Sequence, residues 1–213
     1  MTSISTVALI DYGAGNVPSV ERALQKLGVS SKRVTRPGEL AGVRAIILPG
    51  VGHYAAIIRG LDAHNLRAAL LDAIKRGVPF LGICLGLQAL YSCSEEASSL
   101  SGLNLFSGSV RSLPTTAKLP HMGWNRLHIL RTSQLLAGVS ESDYFYFAHS
   151  YAAAPSPGSN EVVASCSHGA DFAAVLEQEN VFATQFHPEK SGAAGARLLQ
   201  NFLSLAARMS EPA

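Results

Sequence analysis

A single cysteine, Cys84, stands between Gly82 and Gly86 in the apolar run VPFLGICLGLQALY, Val78 to Tyr91. Glycine two places before and two places after a nucleophile is the pattern of a nucleophile elbow, here with cysteine in the place of serine. A strand turning sharply into a helix leaves the central residue at a strained apex. It also brings strand and helix so close that side chains at the flanking positions would clash, and glycine removes the clash. Such an apex is also a helix N-terminus, where unpaired N–H groups favour a thiolate. The amide of Leu85 would then face a developing oxyanion. Gln88, one turn beyond Cys84, would line the same pocket. The pentad by itself is equally compatible with a buried strand carrying a core cysteine and packing glycines.

A base with an orienting partner is offered by FATQFHPEKS, where His187 and Glu189 flank Pro188. Proline holds the preceding residue extended, and in an extended segment positions i and i+2 project together. Glu189 could then accept from one ring nitrogen while the other faces a thiol, the arrangement that nucleophilic catalysis requires. The bland alternative is a solvated surface turn. A third piece, ILPGVGHY, runs a strand into Pro49, Gly50, Val51 and Gly52. Loops at the carboxyl ends of parallel strands form ligand crevices, and this one could supply a second oxyanion donor opposite Leu85.

Other reactive side chains carry weaker signals. Cys93 reads as a packing residue, and Cys166 with His168 is too small a set to hold a metal. His53 follows the glycine loop and reads as structural. His64 and His128 show no partner in the sequence, and His121 sits in a separate motif, PHMGWN.

The elements that must carry these residues follow from hydrophobic periodicity. TVALIDYG, RAIILPG and VPFLGIC read as buried strands. NVPSVERALQKLG has Val17, Val20, Leu24 and Leu27 at helical spacing, with Asn16 a candidate cap, and NLRAALLDAIKRG has Leu66, Leu70 and Ile74 on one face. LGLQALYS reads as the helix after the elbow. Apolar strands alternating with amphipathic helices predict an α/β fold whose central, mainly parallel sheet is flanked by helices. After the polar loop SEEASSLSG come strand-like pieces, LFSGSVRSL, NRLHILR, DYFYFAHSY, EVVASCSH, DFAAVLEQ and NVFATQF, which predict an antiparallel extension in the second half. SGAAGARLLQNFLSLAARM closes the chain as a helix with Ala194, Leu198, Phe202 and Leu205 on one side, and SEPA reads as a frayed tail.

The chain has 213 residues, a formal net charge of +2 and 15% charged residues. That length suits one domain over residues 1–213 with a sizeable core. The near balance of 17 basic and 15 acidic residues, without a basic stripe, argues against nucleic acid as a partner. No stretch approaches the roughly 18 apolar residues of a membrane span, and the N-terminus lacks the basic region of a signal peptide. Three cysteines without a CxxC pair argue against a disulfide framework and a zinc site. A cytoplasmic protein with no membrane partner, no cofactor and no metal is the expectation.

Taken together, PGVGHY, GICLGLQ, FAHSY and QFHPEKS, in that order, resemble the class I, triad-type glutamine amidotransferases across nearly the whole chain. The resemblance implies a flavodoxin-like fold and a Cys84, His187, Glu189 triad. It implies hydrolysis of the side-chain amide of L-glutamine through a cysteinyl thioester, with ammonia passed to a synthase partner. DYGAGN (Asp11 to Asn16), KLPHMGWN (Lys118 to Asn125) and HSY (His149 to Tyr151) look like the glutaminase subunits of imidazole glycerol phosphate synthases, in histidine biosynthesis. That likeness implies oxyanion donors from the backbone of Leu85, Val51 and Gly52, and glutamine contacts from Gly50, Gly52, Gln88, Ser150 and Tyr151. It also implies a heterodimer with a (β/α)8-barrel cyclase that makes imidazole glycerol phosphate and aminoimidazole carboxamide ribonucleotide. Asn16, Met122, Trp124, Asn125, Tyr146 and Lys190 would face that partner. Trp124, the one tryptophan, beside Met122 in a polar connection suits an interface anchor, though core packing is open to it too. A glutaminase serving a different synthase, a γ-glutamyl or peptidase-like cysteine hydrolase, and a silent regulatory subunit are the alternatives.

Overall fold

The computed structural model of the protein describes Ile4 and residues 6–114 and 116–209; the SEPA tail lies outside them. Among the described residues the central sheet has eight strands in the order β2-β1-β3-β4-β12-β11-β10-β7. Strands β1 (Thr6–Ile10), β2 (Ser30–Val34), β3 (Ile46–Gly50), β4 (Phe80–Cys84) and β12 (Val181–Thr184) run parallel. Strands β11 (Asp171–Gln178), β10 (Val162–Ser167) and β7 (His128–Ile129) extend the sheet antiparallel. Two antiparallel pairs stand apart: β5 (Gly108–Ser112) with β9 (Tyr151–Pro155), and β6 (His121–Arg126) with β8 (Tyr144–His149). The mainly parallel sheet with an antiparallel second half is the architecture read from the sequence.

Strand side chains alternate between faces, and the apolar runs therefore feed two cores. Val7 and Leu9 join α1 (Val17–Lys26) and α5 (Gly192–Met209) on one face. Ala8 and Ile10 join α2 (Tyr54–Ala63) and α3 (Leu66–Lys75) on the other. Such coverage of both faces is why these strands are apolar throughout.

Four expectations need correction. The helix after the elbow, α4, is only Leu85–Gln88, because the carbonyls of Ala89 and Leu90 are taken by the amides of Leu103, Leu105 and Phe106. PHMGWN is strand β6 rather than a connection, so its side chains alternate. Met122 and Trp124 point out, 66% and 56% exposed, while His121 is buried and Asn125 turns inward to His121 and the Ser167 carbonyl. Asn125 thus sits on the face opposite the exposed anchors. Asn16 sits at the start of α1 but makes no side-chain cap bond. Finally, β2 and α2 lie where the sequence reading drew no element.

Candidate active site

Cys84 ends β4 with φ 54° and ψ −104°, a left-handed conformation that side chains other than glycine rarely adopt. Its neighbours explain the glycines. A Cβ on Gly82 would lie 2.7 Å from the Gly86 carbonyl oxygen, and one on Gly86 would lie 2.1 Å from that of Leu48. With α4 reduced to one turn, little macrodipole is available to hold an anion, so charge at the sulfur must be met by individual groups.

The first such group is His187, buried together with Glu189. Glu189 Oε1 is 2.9 Å from His187 Nδ1, which leaves Nε2 for the thiol with which the ring hydrogen-bonds. Pro188 holds His187 extended as expected, but it then opens a 3-10 turn, Pro188–Lys190. The turn, not an extended strand, brings acid and ring together. Ser191 Oγ ties it down, donating to the His187 carbonyl at 2.6 Å and accepting from the Tyr146 amide at 3.0 Å. Burial alone would push the imidazole pKa down; the Cys84 sulfur, and after it the Glu189 carboxylate, outweigh burial and raise it to about 10. Among the described residues Glu189 Oε2 is buried without a hydrogen-bond partner.

Around this pair lies a cavity of about 320 Å³ lined by Val51, Gly52, Leu85, Gln88, Ser150 and Tyr151 beside Cys84 and His187, a volume suited to a small ligand. All the expected glutamine contacts except Gly50 are in its wall. Gly50 is instead pressed against the elbow, where a Cβ would meet Leu85 Cβ at 2.6 Å. Met122, Tyr146 and Lys190 also line the cavity, so its mouth opens on the exposed face of β6 and β8. There the Trp124 ring lies edge-on to Tyr146, and Lys190 Nζ sits 5.7 Å from the Tyr146 ring centre.

Three wall or near-wall groups were given no role by the sequence, although Gln185 opens QFHPEKS and His149 opens HSY. Glu96 lines the cavity and accepts from the Tyr54 amide at the start of α2 at 2.7 Å; it was one acid in a polar loop. Gln185 is fully buried, its Nε2 3.6 Å from Cys84 Sγ. His149 is buried behind Tyr151, whose carbonyl its Nδ1 meets at 2.9 Å, while its Nε2 is 3.1 Å from His121 Nδ1. His168 stacks on His121 with ring centres 4.1 Å apart and bonds the Lys118 carbonyl. His53 caps α2, His64 meets the Thr35 carbonyl and His128 meets Glu141.

Burial pushes His149 down to about 3, against the Tyr151 bond, and burial with the neighbouring His168 pushes His121 down to about 4. Both rings are neutral in the folded protein at neutral pH. The unfolded chain takes up their protons near pH 6.5, so stability falls as the pH drops from there through the folded values. For His149 the loss at pH 5 is about 2 kcal/mol. Urea unfolding at pH 7 and pH 5 should show a smaller acid loss in His149→Asn by about that amount. The raised pKa of His187 acts in the opposite sense, contributing stability that is full below pH 6.5 and lost as pH rises towards about 10. It is common to both proteins and drops out of the difference. Equal acid losses would show that His149 is not held neutral.

The profile of the family described as "Glutamine amidotransferase class-I" matches residues 8–206. Similar proteins include the imidazole glycerol phosphate synthase subunit HisH of Methanothermobacter thermautotrophicus, 47% identical over 93% of this chain and 98% of that one. The HisH subunit of Moorella thermoacetica is 43% identical over 92% and 93%. The chloroplastic imidazole glycerol phosphate synthase hisHF of Arabidopsis thaliana is 42% identical over 95% of this chain but 34% of its own length. Among solved structures, a glutamine amidotransferase superposes with a TM-score of 0.76 at 21% identity over 93% of this chain and 98% of that one. PurLQS from Thermotoga maritima superposes with 0.75 at 22% identity over 96% and 99%; these two likenesses concern the fold.

Proposed function

We propose, from the premise that this chain belongs to the class-I glutamine amidotransferases and among them to the HisH subunits of imidazole glycerol phosphate synthase, that Cys84, His187 and Glu189 are its catalytic triad. The chain is a glutaminase subunit in histidine biosynthesis. The observation that carries the triad is the strained Cys84 facing a buried imidazole whose other nitrogen is held by Glu189.

In this reading residues 1–213 act as one glutamine amidotransferase domain. Cys84 Sγ attacks the carboxamide carbon of L-glutamine, and the oxygen that gains charge is met by the amide of Leu85 and by the Val51–Gly52 loop. His187 gives its proton to the departing nitrogen, and ammonia leaves a thioester. The ring then takes a proton from water, which attacks the thioester carbon and releases glutamate and the sulfur. Glu189 holds the ring's orientation and its charged form. Gln88, Ser150, Tyr151 and Gly52 hold the substrate, and the Glu96 carboxylate in the wall suits its α-ammonium group. Ammonia passes to a cyclase of (β/α)8-barrel type docked over Met122, Trp124, Tyr146 and Lys190, where the cavity opens. That cyclase makes imidazole glycerol phosphate and aminoimidazole carboxamide ribonucleotide, and the pair works in the cytoplasm as a heterodimer. Asn16 joins the contact, and Asn125 supports it from the inner face of β6.

The test is glutamate release from L-glutamine by the purified chain, alone and with a barrel cyclase carrying its nucleotide ligand. A strong rise in rate with the liganded partner is expected. A rate indifferent to that partner points to a different synthase, and no hydrolysis under any condition would make the chain a silent subunit.

A further inference from the structure

Gln185 follows the last residue of β12, with its backbone amide bound to the Ala174 carbonyl and its side chain wholly enclosed. A buried amide has four hydrogen-bonding sites to satisfy, and its orientation is set by what surrounds it. Here the surroundings leave no choice. The Tyr151 carbonyl can only accept, so Gln88 must turn its NH2 group towards it, at 2.7 Å. The same NH2 lies 3.2 Å from the Gln185 side chain, which must present its oxygen. The Gln185 NH2 group is thereby aimed at Cys84 Sγ, 3.6 Å away. His149 Nδ1 also bonds the Tyr151 carbonyl, at 2.9 Å, and so holds the starting point of the chain in place.

A donor aimed at a buried sulfur favours the charged form over the neutral one. It also does so without adding a net charge that would itself need solvation. The need for such a donor is real here, because α4 is a single turn.

We infer that Gln185 is a further catalytic residue, a hydrogen-bond donor that holds the Cys84 sulfur as a thiolate in line with the cavity, with its amide oriented by Gln88 and the Tyr151 carbonyl. The inference rests on Cys84 being the nucleophile. On attack the sulfur loses its charge to the forming carbon–sulfur bond, and the amide remains to receive the thiolate when the thioester breaks.

The test follows alkylation of Cys84 by iodoacetamide across pH, read at the Cys84 peptide by mass spectrometry, beside glutaminase kcat with the liganded cyclase. Gln185→Met keeps length and removes the donor. Its alkylation midpoint is expected to move up by about one pH unit, the size of one hydrogen bond to a charged group, with kcat reduced about tenfold or more. Gln88→Leu, which leaves Gln185 in place but frees its amide to turn, is expected to move the midpoint in the same direction by less. It decides the question should Gln185→Met fail to fold. An unchanged midpoint in a folded variant overturns the inference while leaving the triad standing. A parent protein in which Cys84 reacts no faster at neutral pH than the exposed Cys93 overturns the nucleophile reading, and this inference with it.

Discussion

Cys84→Ala abolishes glutamate release from L-glutamine, with a loss of roughly ten-thousandfold or more in kcat, because the thiol that His187 faces and that forms the covalent intermediate is gone. His187 remains, but its Nε2 faces the place the sulfur left. The backbone donors near Leu85 and Gly52 would still polarise a carbonyl, so a trace of activity over water is the expected remainder. Stability should change little. Alanine keeps the strained φ of 54°, and the loss of a buried thiol beside an imidazole is small against the whole fold. A thermal midpoint within a few degrees of the parent, with activity gone under the liganded-partner condition, is the predicted result. Retained activity would remove Cys84 from the mechanism altogether.

Gly86→Ala fails for a different reason, and it should yield insoluble or largely unfolded protein. The added Cβ would stand 2.1 Å from the Leu48 carbonyl oxygen, which belongs to β3, the strand paired with β4 from Ile46↔Phe80 to Gly50↔Cys84. The Cβ has no rotamer, and the carbonyl is fixed in the middle of a sheet, so relief requires the elbow to lift off its neighbouring strand. A loss of about 4 kcal/mol or more is expected, comparable to the whole stability of many domains. Gly38→Ala is the control. Its Cβ meets nothing within 4 Å and its φ is ordinary, so a change within about 0.5 kcal/mol is expected. Soluble expression and urea midpoints of the two variants measure the contrast. A Gly86→Ala protein as stable as Gly38→Ala would mean that the elbow does not pack as described.

The parts of this protein legible in its sequence are those whose cause is local. A strand buried on both faces must be apolar throughout, so β1, β3 and β4 are visible as runs, and α1, α3 and α5 as periodic stripes. The elbow is visible because a sharp turn demands glycines at fixed offsets from the nucleophile. His187 and Glu189 are visible because a single turn joins them. Where the local signal misleads, the reading failed in kind. β2, SSKRV, is an edge strand and needs little apolar surface. α2 carries Tyr54, Ile57, Ile58 and Leu61 at helical spacing, directly after the glycine loop. β6 carries its large apolar residues, Met122 and Trp124, on the exposed face and turns Asn125 inward, so PHMGWN lacks the pattern of a buried strand.

What the sequence by itself determined is therefore the chemistry at hand: a thiol at a glycine-flanked apex, an imidazole with its acid, and a glycine loop at a strand end. Which groups surround that chemistry was decided by tertiary structure alone. Gln185 reaches Cys84 across 101 positions of chain and Gln88 across 97, and Gln88 meets Tyr151 across 63. Glu96 enters the cavity because the Tyr54 amide, 42 positions away, holds its carboxylate. The length of α4 depends likewise on amides of residues 103–106. A buried polar side chain has no periodicity to betray it, since its place depends on the hydrogen-bond partners that the fold brings together and not on its neighbours in sequence.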